Sequence, residues 1–225
     1  MAEVKVTPLY GARTALLEVG SVRILLNCGW DASFDETQLD SLEAVVKDVD
    51  LVLLTHHGLE HLGALPRAVG RLGLTAPIYC TLPVHKMGQM TLYDAQVAMV
   101  SEHGEAFSTD KYSLDDLDAA FDKVKPLKFS QHLTLAGKGA GIELTPYSAG
   151  HTIGGAFWRI VQNGTDEIVF AIDLNHKRSV RPFAIDVESA VEPCAALRRA
   201  GTSACDDHRD RARITPPQIL PVIAE

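Results

Sequence analysis

Residues 51–66, LVLLTHHGLEHLGALP, constrain this chain more than any other stretch. The first five are near-continuously apolar, and an apolar run of that length reads as a short buried strand. The chain then turns polar, places His56, His57, Glu60 and His61 within six residues, and resumes as a helix opening. Chemistry in an α/β sheet collects at the carboxyl ends of buried strands. Imidazole and carboxylate are both ligand types that suit zinc. A solvated loop is the bland alternative, and the density of ligands directly behind an apolar strand weighs against it.

Composition narrows the class. The 225 residues are 46% hydrophobic, enough for one sizeable core. A formal net charge of −8 argues against this segment alone forming a basic nucleic-acid groove. The four cysteines, at 28, 80, 194 and 205, have no C-x-x-C spacing, so neither a zinc ribbon nor a disulfide framework is expected and a reduced intracellular compartment is the simpler fit. The opening MAEVKVTPLYG has no signal-type apolar core, and no run of eighteen apolar residues is present, so no membrane span is expected.

Read in order, residues 4–9, 13–19 and 22–27 are expected strands, the last two joined by a Gly20–Ser21 turn. Residues 39–47 have helical spacing. After the histidine loop a helix runs to about residue 72, then comes a strand at 77–80. Residues 83–100 are expected to be helical in their later part, with Met87, Met90 and Met99 filling the core, and residues 102–112 to be loop. Ser113 caps a helix whose Asp115 and Asp116 suit its positive end. Segments 126–129 and 132–135 are expected in a second sheet, 137–141 as a turn and 142–146 as a strand. Asn163–Gly164 joins a hairpin of 156–161 and 167–172.

Several of these stretches resemble the motifs of the metallo-β-lactamase superfamily. The loop after the strand at 51–55 resembles its His-x-His-x-Asp-His signature, and Gly63-Ala64-Leu65-Pro66 resembles the continuation found in the RNA-processing, β-CASP branch. His56 matches the first His and His61 the last, but Gly58 stands in place of the second His and Glu60 in place of the Asp. Residues 25–30, LLNCGW, resemble an element in which an Asp supports the metal loop; here it is Asn27, which keeps hydrogen-bonding capacity but not charge. Ala149-Gly150-His151 resembles the third motif, and Asp173 stands where family members bridge two zinc ions. The following Asn175-His176-Lys177-Arg178 is similar to a non-catalytic branch rather than to the active nucleases.

The resemblance covers residues 4–178 and implies an α/β (α+β) αββα sandwich, present here in part, followed by a divergent tail at 179–225. It implies a vestigial site at His56, Gly58, Glu60, His61, His151 and Asp173, with no catalytic residue, no bound metal and no cofactor. Metal sites need ligand distances within about 0.2 Å of ideal, which a Gly and a lengthened carboxylate do not meet. It further implies residence in the nucleus and a scaffold subunit of the complex that cleaves and polyadenylates pre-mRNA 3′ ends. The partners so implied are an active homologous nuclease subunit, the other cleavage and polyadenylation factor subunits, and pre-mRNA contacted indirectly or through regions absent here. The rival is a zinc-dependent hydrolase or ribonuclease with an altered site, drawing on His56, Glu60, His61, His151 and Asp173. Two further readings are a chain that is not stable alone, and a His-x-x-Glu-His peptidase motif over residues 57–61, which Gly58 and the preceding strand disfavour.

Overall fold

The computed structural model describes residues 4–11, 13–164 and 166–175. Two sheets carry the fold. The first has six strands in sequential order: β1 (Val4–Tyr10), β2 (Thr14–Val19), β3 (Val22–Leu26), β4 (Leu51–Leu53), β5 (Ile78–Thr81) and β6 (Val124–Leu127). The first three meander antiparallel, and β3 to β6 run parallel. The second sheet, in order β10-β9-β8-β7, is antiparallel, with β7 (Leu133–Thr134), β8 (Ile142–Ser148), β9 (Ala156–Gln162) and β10 (Asp166–Phe170).

Alternation along the first sheet separates two cores. Leu16, Leu25, Val52 and Ile78 face a helical layer, while Leu17, Ile24, Leu26, Leu51 and Leu53 face the second sheet. Both faces are therefore buried, as expected of a sheet with parallel strands. Six α-helices contribute to the helical layer: α1 (Asp40–Glu43), α2 (Leu59–Leu62), α3 (Leu65–Gly70), α4 (Leu82–His103), α5 (Glu105–Lys111) and α6 (Leu114–Asp122). Between the sheets, Leu144, Trp158, Ile160, Ile168 and Phe170 meet the inner face of the first sheet.

The hairpin across Gly20–Ser21, the cap at Ser113 and the hairpin across Asn163–Gly164 form as the sequence indicates. Other expectations are corrected. Segment 39–47 is not one helix: a 3₁₀ turn (Glu36–Leu39), α1 and a second 3₁₀ turn (Val46–Asp48) share it. Helix α4 starts at Leu82, where Thr81 caps it and Pro83 suits the first turn. Segment 102–111 is helical apart from Gly104, whose φ of 89° separates α4 from α5. Strand β6 pairs parallel with β5 in the first sheet, not the second. Met99 fills the core, but Met90 is exposed. The pairing at 51–55 ends at Leu53, and β10 ends at Phe170. Residues 176–225, with the expected tail and the His176-Lys177-Arg178 motif, lie outside the described residues.

Candidate functional site

Five chain segments meet where β3, β4, β8 and β10 end and β2 begins. Leaving β3, the chain is clipped onto α2 by three main-chain bonds: Cys28 N to His61 O (2.8 Å), Trp30 N to Leu59 O (3.0 Å) and Ala64 N to Cys28 O (3.0 Å). Gly29 is required by this approach, because a Cβ there would lie 1.9 Å from the Glu60 carbonyl oxygen. Leaving β4, the chain stays extended through Thr55, whose carbonyl accepts from Ala156 N of the second sheet (2.9 Å). Gly58 then caps α2, so His57 precedes the helix and the two histidines of the His-x-x-Glu-His pattern are not presented together on it.

His56, His61 and Asp173 converge, with one ligand atom from each lying within 4.8 Å of the others. His61 Nε2 is 3.1 Å from Asp173 Oδ2. The His56 ring lies 4.8 Å from that of His61 and 6.0 Å from that of His151, centroid to centroid. His56 is buried and neither ring nitrogen has a hydrogen-bond partner within the protein. His151 is exposed. Glu60, also exposed, points to the rim rather than to the imidazoles.

Sequence reasoning missed Arg13. From the turn before β2 its guanidinium reaches Asp173 through Nε (3.1 Å to Oδ2) and Nη2 (3.4 Å to Oδ1). Its Nη1 lies 3.0 Å from Glu60 Oε2. All three guanidinium nitrogens are thus committed to two carboxylates. The partners are 160 positions apart in the case of Asp173, and no local spacing signals the pair.

Asn27 stands behind the pocket, fully buried, with φ of 61°. Its Oδ1 accepts from Thr55 N (2.9 Å) and Thr55 Oγ1 (3.0 Å), and its Nδ2 donates to the Arg13 carbonyl (3.0 Å). Nδ2 is also 3.2 Å from His61 Nδ1. Asn27 thereby joins the ends of β3 and β4, the Arg13 turn and the His61 ring.

The electrostatics follow from burial. Burial, with His61 alongside, pulls the His56 pKa down to about 3. Burial also takes His61 to about 4, although Asp173 pulls the other way. Burial raises the Asp173 carboxyl, but the hydrogen bonds and charge of Arg13 outweigh it and leave the group below the usual range. At neutral pH the pocket therefore holds two neutral imidazoles and a carboxylate already matched with a guanidinium.

The chain matches a known class. The family described as the metallo-β-lactamase superfamily domain matches residues 16–199, and the chain belongs to that superfamily. Within it, the chain is 43% identical over 198 residues to the "Probable cleavage and polyadenylation specificity factor subunit 2" of Drosophila melanogaster, covering 88% of this chain and 26% of that one. It is 38% identical over 202 residues to the cleavage and polyadenylation specificity factor subunit 2 of Arabidopsis thaliana, covering 88% of this chain and 27% of the relative. The chain thus spans about a quarter of the length of these curated relatives. A solved metallo-β-lactamase of Cronobacter sakazakii aligns with a TM-score of 0.49 at 16% identity, over 87% of this chain and 72% of that one.

Proposed function

We propose that this chain is the metallo-β-lactamase-like part of a nuclear subunit that serves pre-mRNA 3′-end cleavage and polyadenylation without cutting RNA itself. In this reading it is a scaffold that pairs with an active homologous nuclease and with other subunits of the same factor. Pre-mRNA is touched indirectly or through regions outside this chain. The likeness to the subunit 2 proteins of fly and plant supports the process. The observation that carries the non-catalytic part is Arg13, whose guanidinium takes both Asp173 and Glu60.

The superfamily implies metal, and the residues present do not fit a two-ion centre. Gly58 offers no donor where a second imidazole is expected, although a Cβ there would meet nothing closer than His61 Cδ2 at 3.7 Å. The carboxylate that should bridge two cations is instead engaged by an arginine. No helix among the described residues is long and apolar enough to cross a membrane.

A second reading, a zinc-dependent hydrolase or ribonuclease with an altered site, is favoured by one observation: the two buried His56 nitrogens without partners. Buried polar atoms are seldom left so. Metal analysis and an RNA cleavage assay separate the two. The scaffold reading expects substoichiometric zinc and no turnover with added zinc above that of Asp173→Ala. Stoichiometric zinc that is lost in His61→Ala or His151→Ala, with turnover above the Asp173→Ala control, would favour the hydrolase.

A further inference from the structure

We propose that Asn27 and Arg13 together close this pocket to metal: Asn27 holds the His61 proton on the nitrogen that faces Asp173, and Arg13 occupies the carboxylate that remains. The proposal rests on the non-catalytic reading above and gives it a chemical cause.

The Asn27 amide has only one possible orientation. Thr55 N can only donate, so the atom 2.9 Å from it is the amide oxygen. The Arg13 carbonyl can only accept, so the atom 3.0 Å from it is the amide nitrogen. That same nitrogen lies 3.2 Å from His61 Nδ1 and has only hydrogens to offer. Nε2 lies 3.1 Å from Oδ2 of the ionised Asp173, which can only accept, so the single imidazole proton sits on Nε2 and Nδ1 is the bare nitrogen that accepts from Asn27 Nδ2. The Thr55 hydroxyl has one proton, which goes to Asn27 Oδ1, so at 3.1 Å it lies beside Nδ1 without donating to it. Nε2–H then donates to Asp173 Oδ2 at 3.1 Å.

A metal binds imidazole through a lone pair. Imidazoles that hold a metal give their other N–H to a carboxylate or carbonyl, which leaves the metal-facing nitrogen bare. Asn27 produces the reverse arrangement, and an acid at the same position would restore it. The backbone would allow the exchange, since Asn and Asp are the non-glycine residues that best tolerate left-handed conformation.

Arg13 acts on the other half of the pocket. Its hydrogen bond from Asn27 fixes where the side chain departs, and its three nitrogens cover both carboxylates within reach. A divalent cation at Asp173 would have to displace this guanidinium or stand beside a fixed like charge. His56 alone, one neutral ring, is a poor site.

The test is made on the whole chain with ¹⁵N-labelled histidine, using His61→Gln to assign the His61 signals. Long-range ¹H–¹⁵N correlation spectra are expected to show a bare Nδ1 and a protonated Nε2 in the wild type, and the opposite in Asn27→Asp. Titration with zinc chloride is expected to show a gain of at least about tenfold in affinity for Asn27→Asp combined with Arg13→Gln. Arg13→Gln alone, at a partly exposed position, is expected to show a smaller gain and serves if the buried change fails to fold. A proton on Nδ1 in the wild type, or no gain in either variant, overturns the proposal while leaving the scaffold reading intact. Stoichiometric zinc bound tightly by the wild type overturns both.

Discussion

Gly29, after β3, and Gly58, after β4, answer opposite questions. Gly58 has ordinary φ of −73° and room for a side chain, so its missing imidazole is a loss of chemistry and not a demand of the backbone. Gly58→His, at a half-buried position where a Cβ finds room, is expected to cost no more than about 1 kcal/mol of unfolding free energy. Gly29→Ala drives a Cβ into the Glu60 carbonyl and is expected to cost more than about 3 kcal/mol, read from urea midpoints. Protonation adds a further residue-scale effect. His56 and His61 titrate near 6.5 when unfolded but near 3 and 4 when folded. Their contribution is complete above about pH 6.5 and is lost as the pH falls toward about 4 for His61 and about 3 for His56, because the unfolded rings take protons first. The slope reaches at most about 1.4 kcal/mol per pH unit for each ring. The melting temperature is expected to be lower at pH 5 than at pH 7, and an unchanged value would contradict the burial assigned to these rings.

At the scale of elements, α6 offers the cleanest test. Ser113 Oγ accepts from Asp116 N and the Asp116 carboxylate accepts from Ser113 N, a reciprocal cap on a nine-residue helix. Ser113→Ala is expected to cost about 1 kcal/mol in thermal or denaturant unfolding, with Ser113→Asp recovering most of it. This helix was legible because its cap is written in adjacent residues. The two hairpins were legible for the same reason: turn residues and alternation are local. Helix α4 was harder, because Gly88 within it looks like a breaker. There a Cβ would come 2.6 Å from Leu62 Cδ2, so the glycine serves close packing against α2. The polar run that follows α4 reads as loop, yet α5 bonds and packs through Arg67, Arg71 and Lys111 rather than through an apolar stripe. The sheet to which β6 belongs could not be read, because period two tells which faces alternate and not which strand is the neighbour. In the pocket, His56, His61 and His151 were visible as motifs. Arg13 was not, since a guanidinium that pairs across most of the chain leaves no spacing to recognise.

On the scale of the whole molecule, the first sheet is shared by two cores, with Trp30 in the helical one and Trp158 between the sheets. Both indoles are fully buried. Single-tryptophan proteins made by Trp30→Phe and Trp158→Phe therefore report the two cores separately. Because both cores rest on one sheet, the two signals are expected to share one denaturation midpoint within each variant when compared with circular dichroism. Separate midpoints would mean that the second sheet opens independently.

Two carbonyls that follow β4 deserve a mechanical reading. Leu54 O takes the Trp158 indole N–H at 3.1 Å, and Thr55 O takes Ala156 N at 2.9 Å, so the last steps of chain before His56 are bolted to the opposite sheet. There is no slack between that sheet and the histidine turn. A displacement of β9 is therefore expected to carry with it the backbone that leads into His56.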